Sequence, residues 1–539
     1  MKVNGVEVKH QTLPELLINS ATDASSDAGV EVDGRFLTYR ELHELAIAMA
    51  GNLQARGLKP GDRVCSLIQN RIEVLVTWFG TVMAGGIWVP VNVGLIGKDL
   101  AYTISDAAPM VFIVEAALAE RVVDLAVSPR LPNQRFVIGQ ESRLQGFEPY
   151  EALLDSSHQR QPVEIAPSDP AVIIYTGGTT GLPKGVVLPH FAMVCGAMRY
   201  IEVFGATTED RHFSVSPLFH TGGLTISVLG PMMAGMRTTI GRTFSLSKYW
   251  SQVRASGATI INPMGVILTL LCREPPSSSD RDHRVRACLG LTAQLPEEIP
   301  QEFSRRFGIE IARIYALSET SGAMTVYNTL GSPCPESNGR ASHWVDIVVV
   351  DALDQPLPAN QTGQILLRPK VPHTFMLRYH NNDAATVRVW SNLWLHTGDL
   401  GYMNEDGYLF FCGREAHWLR RRGENISAYE VESIIGQYPG IKELAIVGQP
   451  SELGEEDVKV FVVLEDGVTL DPVKLTSWCA ERMAGFKVPR YVEAIGALPR
   501  STAKREIERH ILRAMPNGGA WDREKVFGRQ LPRPQVVPS

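Results

Sequence analysis

Paired cysteines are missing. The seven cysteines, Cys65, Cys195, Cys272, Cys288, Cys334, Cys412 and Cys479, are scattered through 539 residues with no Cys-x-x-Cys spacing. Neither a structural zinc site nor a disulfide framework is expected from that usage, which suits a reducing cytosol. A large excess of one charge is missing too: 52 Lys and Arg stand against 58 Asp and Glu, a net charge of −6. Bulk attraction to a polyanion is excluded as the basis of function, and no nucleic-acid partner is expected. The opening residues, Met1 to Glu7, lack the apolar core of a signal peptide, so a cytoplasmic location is expected. No tandem repeat of fixed period is present. One charge-free stretch, 74–97, is long enough to cross a bilayer. However, Gly80, Gly85, Gly86, Pro90 and Asn92 interrupt it. A buried helix followed by a buried strand is predicted there instead of a membrane span.

What is there is globular: 44% hydrophobic and 20% charged residues, in a chain long enough for more than one domain at roughly 100–200 residues each. Thr38 and Glu41 have capping-box spacing, and Leu42, Leu45, Met49 and Leu53 follow on one helical face before Gly57. Short apolar strands at 64–68, 87–91, 110–114, 171–176 and 259–262 alternate with helices, which predicts an α/β fold with mostly parallel sheets covered on both faces. Asp406-Gly407 is a hairpin signal, and Asn517-Gly518-Gly519 with the Pro-rich end is read as a partly ordered tail. A boundary near Cys412–Glu415 gives a large multi-subdomain N-terminal domain, 1–412, and a small α+β C-terminal domain, 413–539.

The segment Tyr175-Thr176-Gly177-Gly178-Thr179-Thr180-Gly181-Leu182-Pro183-Lys184-Gly185 carries the strongest chemical signal. A strand running into a Gly- and Thr-rich loop that ends in one Lys brings N–H groups, hydroxyls and a cation towards phosphate oxygens. It is not a P-loop, because Pro183 stands where a Gly is required and no Ser or Thr follows Lys184. Taken alone, a flexible surface loop is the lesser alternative. Further segments follow in order: Pro217-Leu218-Phe219-His220-Thr221-Gly222-Gly223, Tyr315-Ala316-Leu317-Ser318-Glu319-Thr320, Trp394-Leu395-His396-Thr397-Gly398-Asp399, Gly413-Arg414, Arg422-Gly423-Glu424-Asn425-Ile426-Ser427 and Lys487-Val488-Pro489-Arg490. Together they resemble the adenylate-forming superfamily of acyl-CoA synthetases, peptide-synthetase adenylation domains and luciferases. The 421–427 string and Trp521-Asp522-Arg523-Glu524 are similar to the carnitine/crotonobetaine-CoA ligase type.

The resemblance implies a two-step reaction in which a carboxylic acid and ATP give an acyl-adenylate, and the acyl group then passes to a thiol. It implies a C-terminal lid turning on a hinge near 414–417. Thr176, Gly177, Gly178, Thr179, Thr180, Gly181 and Lys184 are then expected to hold phosphates, with Tyr315, Ser318 and Thr320 in the nucleotide site. Glu319 is expected to help bind Mg²⁺, and Asp399 to accept from the ribose hydroxyls with Arg414 nearby. The bland alternatives are a turn residue for Asp399 and a helix N-terminal charge for Glu319. Gly423 leaves room for a pantetheine arm, Arg420, Arg421 and Arg422 are candidates for the phosphates of CoA, and His220 is a candidate gate of the acyl tunnel. A carrier-protein thiol is an alternative acceptor. A bulky polycyclic or terpenoid acid, with an acyl pocket around Phe219, Gly223, Met264 and Ala341, is one expectation for the substrate.

One departure stands out. Most members of the superfamily read Leu-Pro-Arg-Thr, two residues, then Gly-Lys and an apolar residue, whereas here Leu498-Pro499-Arg500-Ser501-Thr502-Ala503-Lys504-Arg505-Glu506-Ile507 has no Gly and one extra residue. Counted forwards, Arg505 holds the Lys position; counted back, Glu506 does; Lys504 is displaced by one or two. In the first step a carboxylate approaches an anionic phosphate, and losing one preorganised donor commonly costs about 10²–10³ in rate. The sequence therefore predicts weak or absent adenylation with thioester formation retained, the acyl-adenylate coming from a separate adenylating enzyme. A complete ATP-dependent ligase and a non-catalytic adenylate-binding protein are the alternatives.

Overall fold

The computed structural model describes residues 2–3, 6–7, 10–23, 27–122, 131–139, 144–155, 157–178, 181–263, 265–290, 297–322, 325–414, 418–421, 424–450, 456–483, 485–500 and 507–527. Local signals act as expected at the N-terminal end. The Thr38 hydroxyl accepts from the Glu41 N–H at 3.1 Å while the Glu41 carboxylate accepts from the Thr38 N–H at 2.8 Å, starting helix Tyr39–Ala55. Leu42, Met49 and Leu53 of its apolar face are buried. The charge-free stretch forms helix Ile72–Met83 and strand Ile87–Pro90, with Gly85 between them at φ +84°, a conformation that strains other residues. Trp78 stacks on Trp88 at 5.4 Å and ties this helix to its strand. Among the described residues no helix is long and apolar enough to cross a membrane.

Two large sheets with parallel centres organise the N-terminal domain. The eight-stranded sheet runs Arg378–Tyr379, Gly181–Pro189, Pro170–Gly178, Ile87–Pro90, Arg63–Leu67, Val111–Glu115, Gln134–Ile138, Glu148–Pro149. Its pairings are parallel from Pro170–Gly178 onwards and antiparallel at the other edge. The nine-stranded sheet has Arg211–Ser214, Ile260–Ile261, Ala287–Gly290 and Glu310–Tyr315 in parallel at its centre, and Val326–Tyr327 and Arg340–Ala341 added antiparallel at one edge. Burial on both faces explains why the central strands of the eight-stranded sheet, such as Ile87–Pro90 and Val111–Glu115, are apolar runs. Helix His190–Phe204, nearly all of it buried, follows directly from the eight-stranded sheet. A four-stranded antiparallel sheet, Val345–Val350, Gly363–Pro369, Leu395–Met403, Leu409–Arg414, contains the expected hairpin, with Met403 opposite Leu409 and Gly407 at φ +78°.

The smaller C-terminal unit is α+β. Its sheet runs Ile441–Pro450, Glu456–Leu464, Tyr491–Ala494, Trp521–Asp522, and helices Ala428–Ile435 and Pro472–Ala480 cover its apolar core. Of the tail expected to be partly ordered, residues 517–527 are held against this sheet, and the Pro-rich end, 528–539, lies outside the described residues. Val492 lies opposite Trp521, and Arg523, 2% exposed, donates its backbone N–H to the Arg490 carbonyl at 2.8 Å. The run Arg420–Arg422 is not one uniform basic surface either. Arg421 is 2% exposed; its guanidinium lies 3.0 Å from Asp457 and 3.6 Å from Glu524 and donates to the carbonyls of Phe486 and Val488. Arg490 shares Asp457 and reaches Asp522. A guanidinium held this way is structural, so the expectation that Arg421 meets CoA phosphates is corrected. Arg421→Ala leaves Asp457 with Arg490 alone and the Phe486 and Val488 carbonyls without this donor, and an unfolding titration is expected to show a loss of about 1–3 kcal/mol.

Candidate functional site

The phosphate hairpin is built from strands Pro170–Gly178 and Gly181–Pro189, with Thr176 opposite Lys184 and Gly178 opposite Gly181. Its tip, Thr179 and Thr180, lies outside the described residues. The Tyr175 hydroxyl donates to Asp106 at 2.6 Å, and Asp106 also receives His380 and Asn381, so the base of the hairpin is anchored from outside. The segment 376–380 joins the hairpin to the Glu319 turn. The Met376 N–H donates to the Glu319 carbonyl at 2.7 Å, the Leu377 N–H to Val187, and the His380 N–H to Gly185.

This seam supplies a residue that sequence reasoning missed. The Tyr379 hydroxyl donates to Glu319 Oε1 at 2.7 Å, while the Lys184 ammonium sits over the Tyr379 ring, 5.1 Å from its centre. One tyrosine thus orients a carboxylate on one side and rests under a cation on the other. Its signal was the apolar stretch before Arg378-Tyr379, whose position beside Gly181–Pro189 is set by long-range pairing of Val186 with Tyr379.

The Ser318–Thr320 turn holds Glu319 outwards and draws Thr320 inwards. Thr320 is fully buried; its hydroxyl exchanges hydrogen bonds with Leu317 and receives one from Thr325. Thr320 therefore shapes the turn instead of facing a ligand. Gly322, at φ +58°, packs so closely that a Cβ there would lie 2.3 Å from Thr221 Oγ1. The Glu319 turn and the turn after His220 are thereby locked together. His220 precedes the short helix Thr221–Leu224, with its ring 4.6 Å from that of Phe219.

The nucleoside end is equally defined. Asp399, 2% exposed, accepts from the Tyr315 hydroxyl at 2.8 Å, and its own N–H donates to Thr397 Oγ1. Gly398 at φ +68° makes the turn that presents it, and Arg414 is its cross-strand partner. Asn338 bridges the two sheets here, donating to the Ile314 carbonyl and accepting from the Phe411 N–H. The structure thus brings Tyr315, Asp399 and Arg414 together at one place, and Lys184 and Glu319 at another. Arg420 is cross-strand to Asn425 in the C-terminal unit. Arg422, Gly423, Lys504, Arg505, Glu506 and Met264 lie outside the described residues. The residues that close the 501–506 loop are paired: Arg500 bridges to Ile507, and the Glu508 N–H donates to Pro499.

Beneath Pro217–His220 lies a buried polar network. Asn70 donates to the carbonyls of Ser216 and Gly241 and accepts from the Leu218 N–H. The Asn262 amide donates to the hydroxyls of Ser216 and Ser227, so His212 Nε2–H donates to Asn262 Oδ1 and Nδ1 accepts from Tyr200. Burial holds His212 at a pKa of about 4, and burial likewise holds His190, which accepts from the Leu13 N–H, at about 3. Both fall below the unfolded value of about 6.5, so the unfolded chain binds more protons in acid. Their stabilising effect is fully present above pH ~6.5 and is lost as pH falls towards about 4 and then 3. Urea titrations are expected to show stability falling by up to about 1.4 kcal/mol per pH unit for each histidine in this window, with the slope reduced by about half in His212→Gln.

Comparison with known proteins agrees with this geometry. A family model described as AMP-binding enzyme matches residues 19–379, and one described as AMP-binding enzyme C-terminal domain matches 430–505. A crotonobetaine/carnitine–CoA ligase of Salmonella typhimurium is 28% identical over 483 residues, covering 88% of this chain and 93% of that protein. The ATP-bound structure of MatB from Rhodopseudomonas palustris superposes with a TM-score of 0.81 at 26% identity, covering 93% of this chain and 98% of that one. An anthranilate CoA ligase, AuaEII, in complex with anthranoyl-AMP shares the fold, with a TM-score of 0.84 at 24% identity over 95% and 98% of the two chains.

Proposed function

Since the chain belongs to the AMP-binding enzyme family and is an acyl-CoA ligase-type, adenylate-forming enzyme, we propose that it carries out the complete reaction by itself: acid, ATP and CoA to acyl-CoA, AMP and pyrophosphate. The observation that carries this reading is the Lys184–Tyr379–Glu319 cluster beside the Gly-rich hairpin. An acyl-adenylate has one phosphate. A cation and an oriented carboxylate beside this hairpin serve a triphosphate and its metal, which an enzyme fed with ready-made adenylate does not need.

Mg²⁺ fits this cradle. Among the described residues no group of three or more His, Cys, Asp or Glu could hold a metal. Mg²⁺ asks for less than that: one or two carboxylates, with phosphate oxygens and water completing its shell. Glu319 would supply the carboxylate, and the bound ion would offset negative charge on the phosphates. Asp399 accepts from the ribose diol, oriented by Tyr315; Lys184 meets the phosphates; His220, on the turn locked to Gly322, flanks the acyl entrance. The carboxylate of the acid then attacks the α-phosphorus and pyrophosphate leaves. For the second half-reaction, the 413–539 unit turns on a hinge at 414–417, and Gly423 lets the thiol arm of CoA reach the acyl carbonyl. Arg420 and Arg422 are the remaining candidates for its phosphates.

The Ala503–Glu506 substitution pattern favours a second reading, in which only thioester formation survives and a separate enzyme supplies the adenylate. ATP–pyrophosphate exchange, run with a panel of acids and no CoA, separates the two. Acid-dependent exchange supports the complete ligase. Absent exchange alongside AMP release from synthetic acyl-adenylate and CoA supports the second reading.

A further inference from the structure

Arg199 lies in the middle of helix His190–Phe204 and is 0% exposed, yet none of its three side-chain nitrogens has a hydrogen-bond partner among the described residues. A guanidinium does not shed its proton to escape burial, and an uncompensated buried charge costs several kcal/mol. Local groups answer it only in part: the Glu202 carboxylate lends its field from a distance but no hydrogen bond. Among the described residues no carboxylate comes within 4.0 Å. Glu202, one turn on, faces the Tyr327 hydroxyl at 2.8 Å and His343 at 3.9 Å. Cys195, one turn back, stays a thiol because burial pushes its pKa up to about 12.

Two more buried donors lie across the same seam. Ser342 Oγ and Trp344 Nε1, in residues 3% and 1% exposed, also have no partner among the described residues. Their segment packs along the Arg199 helix on either side of Arg199: the Trp344 ring is 6.2 Å from that of Phe191, and His343 meets Glu202. The seam adjoins the adenylate site. Ala341, next to Ser342, pairs with Val326, and Val326 pairs with Tyr315, which holds Asp399. One guanidinium, one hydroxyl and one indole N–H, all buried and all without a hydrogen-bond partner among the described residues, complement an anion and nothing cationic or apolar.

We propose that Arg199, Ser342 and Trp344 form a subsite for an anionic group at the far end of the acyl chain, so that the substrate is an acid carrying a second carboxylate-like charge. This rests on the ligase reading and narrows its substrate class. It also separates the chain from acids with a quaternary ammonium, such as carnitine and crotonobetaine, which Arg199 repels at low dielectric. The earlier expectation of a bulky polycyclic acid gives way to it.

The test uses non-hydrolysable acyl-sulfamoyl adenosines in matched series of about three to ten carbons, ending in either carboxylate or methyl, with binding measured by calorimetry on the full chain. The best carboxylate-ended member is expected to bind about 10²-fold tighter than its methyl partner. Arg199→Met is expected to abolish that preference, Ser342→Ala to weaken it several-fold, and Arg199→Met to raise the melting temperature of the ligand-free protein. Equal binding of both series, with adenosine-dependent affinity intact, overturns the subsite and leaves the ligase reading standing. Binding of neither series overturns the ligase reading itself. Binding of the carboxylate series undiminished in Arg199→Met also overturns the subsite, since buried water or a structural role would then account for Arg199.

Discussion

Glu319→Gln is expected to lower acid-dependent ATP–pyrophosphate exchange by about 10²–10³-fold, while thioester formation from a supplied acyl-adenylate stays within about threefold of the parent rate. The asymmetry follows from where charge builds up. In the proposed first step a carboxylate meets a triphosphate, and the carboxylate of Glu319, held by the Tyr379 hydroxyl at 2.7 Å, would bind the metal that offsets the charge. The second step expels AMP from a neutral carbonyl and has no pyrophosphate to stabilise. Glutamine preserves shape and the Tyr379 hydrogen bond but removes the anionic ligand. Tyr379→Phe, which leaves Glu319 charged but free to turn, is expected to act in the same direction with a smaller loss of about tenfold. Stopped assays of pyrophosphate and of thioester, run side by side, check both. Equal losses in the two half-reactions would show that Glu319 supports the fold of the turn and not the metal.

The second large effect concerns the 501–506 loop. If Lys504 or Arg505 supplies the cation for adenylation, one of Lys504→Met and Arg505→Met is expected to reduce exchange by about 10²–10³-fold and the other to change it little. If Glu506 instead holds the Lys position, Glu506→Gln is expected to raise exchange, about three- to tenfold, because it would remove an anion from a step in which negative groups converge. The sign of that change is informative, since a loop with no role in adenylation leaves all three variants alike. Arg509 is not an alternative source of the charge: its guanidinium is held by Glu432 at 2.6 and 3.0 Å. Arg500 is likewise placed, 3.0 Å from Glu443.

Much of this site was legible from residues alone because its chemistry is local. The Thr176–Lys184 hairpin, the Glu319 turn and the Gly398-Asp399 turn each sit in a short segment whose glycines and polar residues announce a special backbone. The capping box at Thr38 and the hairpin at Asp406-Gly407 were readable for the same reason. What the sequence hid depends on long-range pairing. Tyr379 becomes a partner of Glu319 only because Arg378–Tyr379 adds to the edge of the phosphate hairpin. Arg421 and its neighbours look alike in sequence, and only the fold turns Arg421 towards Asp457. The tail was expected to be partly ordered, and which part is held could not be read from Gly518 and Gly519: Trp521 pairs with Val492 across strands distant in sequence. Arg199 was invisible, being one arginine in a mostly apolar helix that also carries Glu202, until burial left its guanidinium without a hydrogen bond.

The claim that one site performs both half-reactions unaided is tested most directly by single-turnover stoichiometry. The purified chain is mixed with Mg²⁺, ATP, CoA and the matched mono- and dicarboxylic acids, and pyrophosphate, AMP and thioester are counted together. Equal amounts of all three, appearing only with an acid that fits, are the predicted result. No pyrophosphate from any acid, with AMP and thioester still formed from synthetic acyl-adenylate, would contradict it.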